Sequence, residues 1–463
     1  MTPLLVRRLA RAPRFRAPAS LALVLLCCAL AGHAPRARAT VSASVPPGSV
    51  DTLRFSPAPA DTDSLRVNWV DSESVDDDSD HPRHADNGDL YPHSPFGEGI
   101  LTDQDEWRLR VGSNDPWPQP IGDYNRVDRL ALGLAYQIRP EDPMAPRIGA
   151  RLSYSFGRER TLYGVQIEQP LMHDGWLALG GSMTRRTDHS ELQQTPDLEN
   201  SLNLLFGRND NRDYFERTGF GAYVSSRLGD ITTASLRVRN DSYHSLPLKG
   251  GITSIFWKER ELRDNPEIDE GESHTISLQF ERLSQRVVAP KAGTYHFVSI
   301  ERGGGGMKGD FDYGRALADV RSVLRVSPAT TLAMRLVGGS TFSGTLPRQR
   351  EFTLGGFDGL RAHAFAAYRG NQMALAQGEY TISLWRLGPA DWMDGGIDVM
   401  VFGDAGTAWS SPGNNWNLGS QRIGADAGFG IGTNGGGFRV YFGRDLQNST
   451  GDFLVTARLQ RPF

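Results

Sequence analysis

The chain has 463 residues, with 50 basic and 54 acidic side chains, a net charge of −4 and two cysteines, Cys27 and Cys28. An acidic balance excludes the broad basic face that nucleic-acid phosphates require. Two adjacent cysteines provide neither a disulfide framework nor a thiolate metal site.

The first segment has the character of an export signal. Arg7, Arg8, Arg11, Arg14 and Arg16 form a basic start, "ASLALVLLCCALAG" (Ala19 to Gly32) an apolar run, and "ARA" (Ala37 to Ala39) a small-x-small cleavage site. Residues 1–39 are therefore expected to be a signal peptide. Its removal takes both thiols and leaves 43 basic against 54 acidic residues, a balance of −11. Residues 40–100, rich in Pro, Ser and Asp around "VDDDSDHPRHADNGD", cannot bury a core and are expected to be an acidic, largely disordered periplasmic linker. His81, His84 and His93 beside Asp76, Asp77, Asp78 and Asp80 fit no closed coordination pattern. Residues 101–126 are a transition segment.

From about Val127 the pattern becomes alternation with period 2. "LALGLAY" sets Leu130, Leu132, Leu134 and Tyr136 against Ala131, Gly133 and Ala135, and "TASLRVR" sets Ala234, Leu236 and Val238 against Ser235, Arg237 and Arg239. Many such runs reach nine residues or more, the length of a tilted membrane strand. Eleven runs start near residues 127, 147, 160, 175, 199, 214, 230, 274, 293, 311 and 330, and five near 371, 395, 421, 437 and 452. Sixteen is an even number, as a bacterial barrel prefers, so the expected fold over 127–463 is an all-β transmembrane antiparallel β-barrel. With both termini periplasmic, the long connections fall on the extracellular side, except "DHSELQQTPDLEN" (Asp188 to Asn200), which is long for a periplasmic turn.

Motifs with a chemical look find no matching context. "GIGTNG" (Gly430 to Gly435) lies between two strand patterns, where a dinucleotide fingerprint needs a helix to follow. "GGGGMKG" (Gly303 to Gly309) lacks the Lys-Ser/Thr ending of a phosphate loop and reads as a flexible extracellular loop. No G-x-S-x-G elbow occurs. The expectation is no enzyme, no cofactor and no metal.

Three pieces resemble one family. "REFTLGGFDGLRAHAFAAYRGNQMALAQGEY" has a Gly-Gly pair (Gly355, Gly356), a core of Leu360, Arg361, Ala362 and His363, and a segment with Arg369, Gly370 and Asn371 before a strand carrying Glu379. "VFGDAGTAW" (Val401 to Trp409) carries Asp404, and the chain ends on Phe463. In this order the pieces resemble the barrel domain of BamA/TamA-type outer-membrane assembly proteins, the bacterial surface antigen family. The core keeps Arg361, while Leu360, Ala362 and His363 replace the family's Val, Gly and aromatic residue.

The resemblance implies that the loop between strands 11 and 12 folds inward, with Arg361 meeting Glu379 and Asp404. Alternation agrees, because the apolar faces of the neighbouring strands turn Glu379, Asp398, Asp404 and Asp426 inward. Gly355 and Gly356 are expected to take positive φ at the bend. Further inward charges (Arg151, Glu168, Arg237, Arg239, Asp319, Arg321, Arg325, Arg439 and Arg458) are expected to form a wet lumen wall.

The family usually carries periplasmic POTRA domains, and residues 40–100 are too few and too acidic for one, so a barrel-only member is expected. The resemblance implies a role in inserting or translocating proteins, or lipid, at the outer membrane. Its partners would be outer-membrane lipid, unfolded outer-membrane or secreted clients, and assembly machinery reading Phe463 in the C-terminal strand. Two other readings remain open: a passive or gated pore, and an adhesion protein using the loop Ser242 to Ser273.

Overall fold

The computed structural model describes residues 118–458, apart from short internal segments. The expectations for 1–39, 40–100, most of 101–126 and Phe463 lie outside the described residues.

One antiparallel sheet of sixteen strands dominates, each strand paired with its neighbour in the wall. In chain order these are β1 (Gln119–Asn125), β2 (Arg129–Ile138), β3 (Arg147–Ser155), β4 (Arg160–Pro170), β5 (Leu177–His189), β6 (Tyr214–Arg227), β7 (Thr232–Ser245), β8 (Gly271–Leu283), β9 (Gly293–Gly303), β10 (Tyr313–Ser327) and β11 (Thr330–Gly344). A two-stranded ribbon of β12 (Phe352–Leu354) and β13 (Tyr368–Gly370) interrupts the wall. It resumes with β14 (Gln372–Ser383), β15 (Ile397–Trp409), β16 (Gly424–Thr433), β17 (Arg439–Asp445) and β18 (Leu454–Arg458).

The count of sixteen agrees with the sequence expectation through two compensating errors. The sheet begins at Gln119 rather than near Val127, so β1 lies in the stretch read as a transition segment. Its sequence, QPIGDYN, lacks alternation and contains Pro120, which an edge strand tolerates because its outer N–H has no ladder partner. The run near residue 199 is no strand but a helix, α1 (Asp197–Gly207). Leu198, Leu202, Leu205 and Phe206 repeat at i, i+4, i+7 and i+8, a helical period, and Asp197 and Glu199 favour the positive end of its first turn. With both corrections the 190–213 connection moves to the rim that carries the other long connections, and the misplaced long turn disappears.

Alternation gives the wall two faces. Leu132, Leu134, Leu152, Leu236, Leu278, Leu336 and Val401 are exposed, as a lipid-facing belt requires. The opposite phase is not the expected wet wall. Arg237, Arg239, Asp319, Arg321, Arg439 and Arg458 are buried, and Arg151, Glu168 and Arg325 half-buried. Several of these charges are neutralised locally: Asp319 takes Arg321 and Arg335, each at 2.7 Å, and Glu168 takes Arg147 at 2.9 Å. An apolar cluster that includes Phe297, Leu317, Phe352, Leu354, Leu360, Met373 and Leu375 joins the inner face of β9–β14 to the connection between β11 and β14. That connection folds inward, as the resemblance implies, and packs against a wall expected to be wet.

β16 pairs antiparallel with β17, and Thr433 N–H donates to the Phe438 carbonyl at 2.9 Å. The next element after Gly430–Gly435 among the described residues is a strand, so the helix that the dinucleotide mechanism needs does not follow there.

Candidate functional site: the inward loop

The 345–371 connection enters through the β12–β13 ribbon, in which Phe352 pairs with Gly370 and Leu354 with Tyr368. Past Leu354 the backbone turns through Gly355 and Gly356, with φ of 121° and 84°. A Cβ on Gly355 would lie 2.3 Å from the Ala364 carbonyl oxygen, so this bend needs glycine. The Gly356 N–H lies 3.1 Å from the Leu360 carbonyl and 3.2 Å from that of His363, which closes the tip into a compact knot.

Arg361 sits at the end of that knot and is 1% exposed. Its Nε and Nη2 each donate to one oxygen of Asp404 at 2.8 Å, a two-pronged contact, and Nη1 donates to Glu379 at 2.7 Å. The guanidinium lies 3.9 Å from the Phe402 ring centroid and 5.1 Å from that of Tyr441. Glu379 is shared, because Arg439 donates to its other oxygen at 2.5 Å and the Tyr441 hydroxyl donates at 3.0 Å to the oxygen that Arg361 uses. Burial opposes the charge on Arg361, but Asp404 and Glu379 outweigh it and push its pKa above the ordinary value. Both carboxylates are saturated by donors, so the arrangement is built to hold a loop in place.

The residues flanking Arg361 continue the attachment. Leu360 is fully buried in the apolar cluster. Ala362 N–H donates to Asp426 at 2.6 Å, and its methyl lies over Gly443 of β17, where a Cβ would stand 3.2 Å away. A bare glycine in the wall thus makes room for the side chain that replaces the family's glycine. His363 Nδ1 meets the other Asp426 oxygen at 2.7 Å, and its Nε2 lies 3.4 Å from Tyr368 Oη and 3.6 Å from Asp445. Polar partners thus receive the imidazole where the family has an aromatic.

At the loop base, Arg369 pairs with Asp213 at 3.0 Å and Glu351 at 3.7 Å. Gly370 abuts the Trp409 backbone, and Asn371 clasps Ser411 through a 2.8 Å acceptor and a 3.0 Å donor contact.

The structure thus brings Arg361, Glu379 and Asp404 into direct contact and seats Ala362 and His363 on Asp426; Arg369, Gly370 and Asn371 form a separate cluster at the rim. Sequence reasoning misses Asp358, Phe402 and Tyr441. Counting by twos from the inward Arg439 finds Tyr441, and from Asp404 it finds Phe402. No periodicity reaches Asp358, which lies within the loop. Its carboxylate accepts from the backbone and hydroxyl of Thr195, at 3.0 and 2.9 Å, and from Arg458 at 3.3 Å; its carbonyl accepts from Arg335 at 3.0 Å.

His363, Asp426 and Asp445 are the one group of potential metal ligands among the described residues. The two ring nitrogens face different carboxylates, so a cation on Nε2 would find only Asp445, with Asp426 on the far side of the ring. Two ligands fall short of a closed site.

A sixteen-stranded antiparallel wall with an apolar outer belt and a loop clamped inside by a buried Arg–carboxylate pair defines an outer-membrane β-barrel protein. The chain belongs to the Omp85 superfamily, whose domain matches residues 145–452. Among solved structures it is similar to BamA from Haemophilus ducreyi lacking POTRA domains 1–3, at 13% identity and a TM-score of 0.50, covering 75% of this chain and 71% of that one. It is also similar to CdiB from Acinetobacter baumannii, at 13% identity and a TM-score of 0.41 over 71% of this chain and 55% of that one. For CdiB from Escherichia coli the values are 12% and 0.41, over 75% and 63%. No curated protein matches.

Proposed function

We propose that this barrel assists the insertion or translocation of proteins at the outer membrane by offering a strand edge at its seam. The observation that carries the reading is the pair of strands at which the sheet ends. β1 and β18 end the sheet, and no ladder joins them among the described residues. Unpaired N–H and C=O groups on such edges recruit an incoming strand by β-augmentation. The clamped loop supports this role by fixing the lumen side of the wall: Arg361 ties it to β14 and β15, and Arg458 of β18 donates to the Phe357 carbonyl at 3.2 Å.

The partners of this role are outer-membrane lipid, unfolded outer-membrane or secreted clients, and machinery that recognises the C-terminal strand at Phe463. The N-terminal segment 40–100 would lie in the periplasm, and the role involves no covalent step and no cofactor. The test is depletion of the protein followed by quantitation of the outer-membrane proteome. Selective loss of β-barrel or secreted proteins is expected. An unchanged proteome would overturn the reading in favour of a pore.

A further inference from the structure

Helix α1 lies against the free edge of β1. Tyr124 stands opposite Leu130 in the β1–β2 ladder, and the Leu130 carbonyl is engaged by Phe156 on the β3 side. This is a non-hydrogen-bonded pair, so the Tyr124 N–H points away from β2, towards the seam. There it donates to Ser201 Oγ of α1 at 2.9 Å, and the same hydroxyl donates to Asp123 at 3.0 Å. Two residues earlier on α1, Glu199 accepts from Arg458 of β18 at 3.3 Å. One helix therefore touches both strands that end the sheet.

The faces of α1 are ordered by this position. Glu199, Asn200 and Leu204 are buried, with Asn200 donating to Tyr214 at 2.8 Å and Asp210 at 3.1 Å. On the opposite side Leu198 is 66% and Phe206 43% exposed, with Leu202 and Leu205 half-buried between them. The stripe continues onto the next long connection, where Phe256 N–H donates to the Phe206 carbonyl at 3.3 Å and their rings stack at 6.3 Å. An apolar stripe turned away from the protein interior, over polar residues turned into it, is the reverse of a helix docked on a soluble core.

We infer that α1 stands in for a wall strand over part of the seam and presents its Leu198–Phe206 stripe to lipid acyl chains. Continuity of the apolar belt argues for this occupant: Leu132 and Leu134 of β2 are exposed on one flank of the seam, and Val455 of β18, in the phase opposite to the buried Arg458, on the other. The physical need is also specific. Hydrocarbon tolerates no unsatisfied strand edge, whereas a helix satisfies its own backbone and can lend a side-chain hydroxyl to its neighbour. The inference does not depend on the proposed function, since a pore needs a sealed seam equally.

The test uses the full chain with Cys27 and Cys28 replaced by alanine, reconstituted in phosphatidylcholine vesicles. Single variants Leu198→Cys, Phe206→Cys, Leu132→Cys and Asn415→Cys carry a nitroxide, and each is checked for a folded, heat-modifiable band. Oxygen concentrates in hydrocarbon and a nickel chelate stays in water, so the ratio of their collision rates reports the surroundings. Positions 198 and 206 are expected to group with the lipid-face control Leu132, several-fold above the exposed rim residue Asn415. Grouping of either with Asn415 would overturn the inference, whatever the outcome of the depletion experiment.

Discussion

At the scale of single residues, the energetics of Arg361 follow from what each carboxylate has left when it is gone. Glu379 keeps Arg439 and Tyr441, but among the described residues the donors to the Asp404 carboxylate come from Arg361, two from its guanidinium and one from its backbone. Arg361→Ala therefore leaves Asp404 as a buried, uncompensated charge, a situation that costs about 3–5 kcal/mol. The expected result is a lower urea midpoint for the folded band and faster proteolysis within the loop. Asp404→Asn in the same background should recover part of that loss, because it removes the stranded charge, while Glu379→Gln should not. Arg361→Lys should remain well below wild type, since an ammonium cannot fork onto Asp404 and reach Glu379 together. Equal midpoints for Arg361→Ala and wild type would show that the pair does not hold the loop. Gly355→Ala tests the bend separately. With φ at 121° and a carbonyl 2.3 Å from the new methyl, it should cost about 1–3 kcal/mol in the same assay. Much of this site is legible in sequence, because a strand has a period of two and the inward phase of Glu379 or Asp404 can be counted. Asp358 escapes because a loop has no period, and the fit of Ala362 over Gly443 escapes because it joins residues some eighty positions apart in the chain.

At the scale of elements, the two misread segments show where alternation stops being informative. β1 is an edge strand among the described residues, where no second ladder favours β-branched residues, and its Gly, Asp and Pro erase the pattern. In α1 the run Leu202, Asn203, Leu204, Leu205, Phe206 imitates a strand locally, and only the spacing back to Leu198 reveals the helix. At 11 residues it is too short to persist alone, so its contacts with β1, Asp210 and Tyr214 decide its conformation. Where alternation is clean it makes a sharper prediction. On β3, Leu152 is 58% exposed while Ser153 faces the other way and is half-buried. Leu152→Arg should lower the free energy of folding into vesicles by about 2–4 kcal/mol, as a charge near the bilayer midplane does. Ser153→Arg, pointing into an interior already furnished with carboxylates, should cost less. Denaturant titration in vesicles reads both, and the opposite ranking would reverse the assignment of the two faces.

At the scale of the whole molecule, the loop is a keystone of the interior charge balance. Its residues 357–363 contact Arg335 of β11, Glu379 of β14, Asp404 of β15, Asp426 of β16 and Arg458 of β18, while Asp358 and Arg369 reach Thr195 and Asp213 in the 190–213 connection. Arg350, in the same 345–371 connection, accounts for another pairing; burial opposes its charge, but Glu301 foremost among its neighbours raises its pKa well above the ordinary value. A lumen whose fixed charges are paired and buried against a packed loop is constricted for ions. The intact protein should accordingly show low conductance in planar bilayers. Deleting residues 352–370 removes the tip and the β12–β13 ribbon while leaving Arg350 and Glu301 together. It exposes Arg335, Arg458, Glu379 and Asp404 to water that enters in its place. Conductance should rise several-fold, and raising salt should weaken any ion selectivity, because the newly wetted charges become screened. Thermal stability should fall at the same time, since those four side chains lose partners from the loop. A deletion variant that conducts no better than the intact barrel would mean that the constriction lies elsewhere, with α1 and the 190–213 connection the next segment to remove.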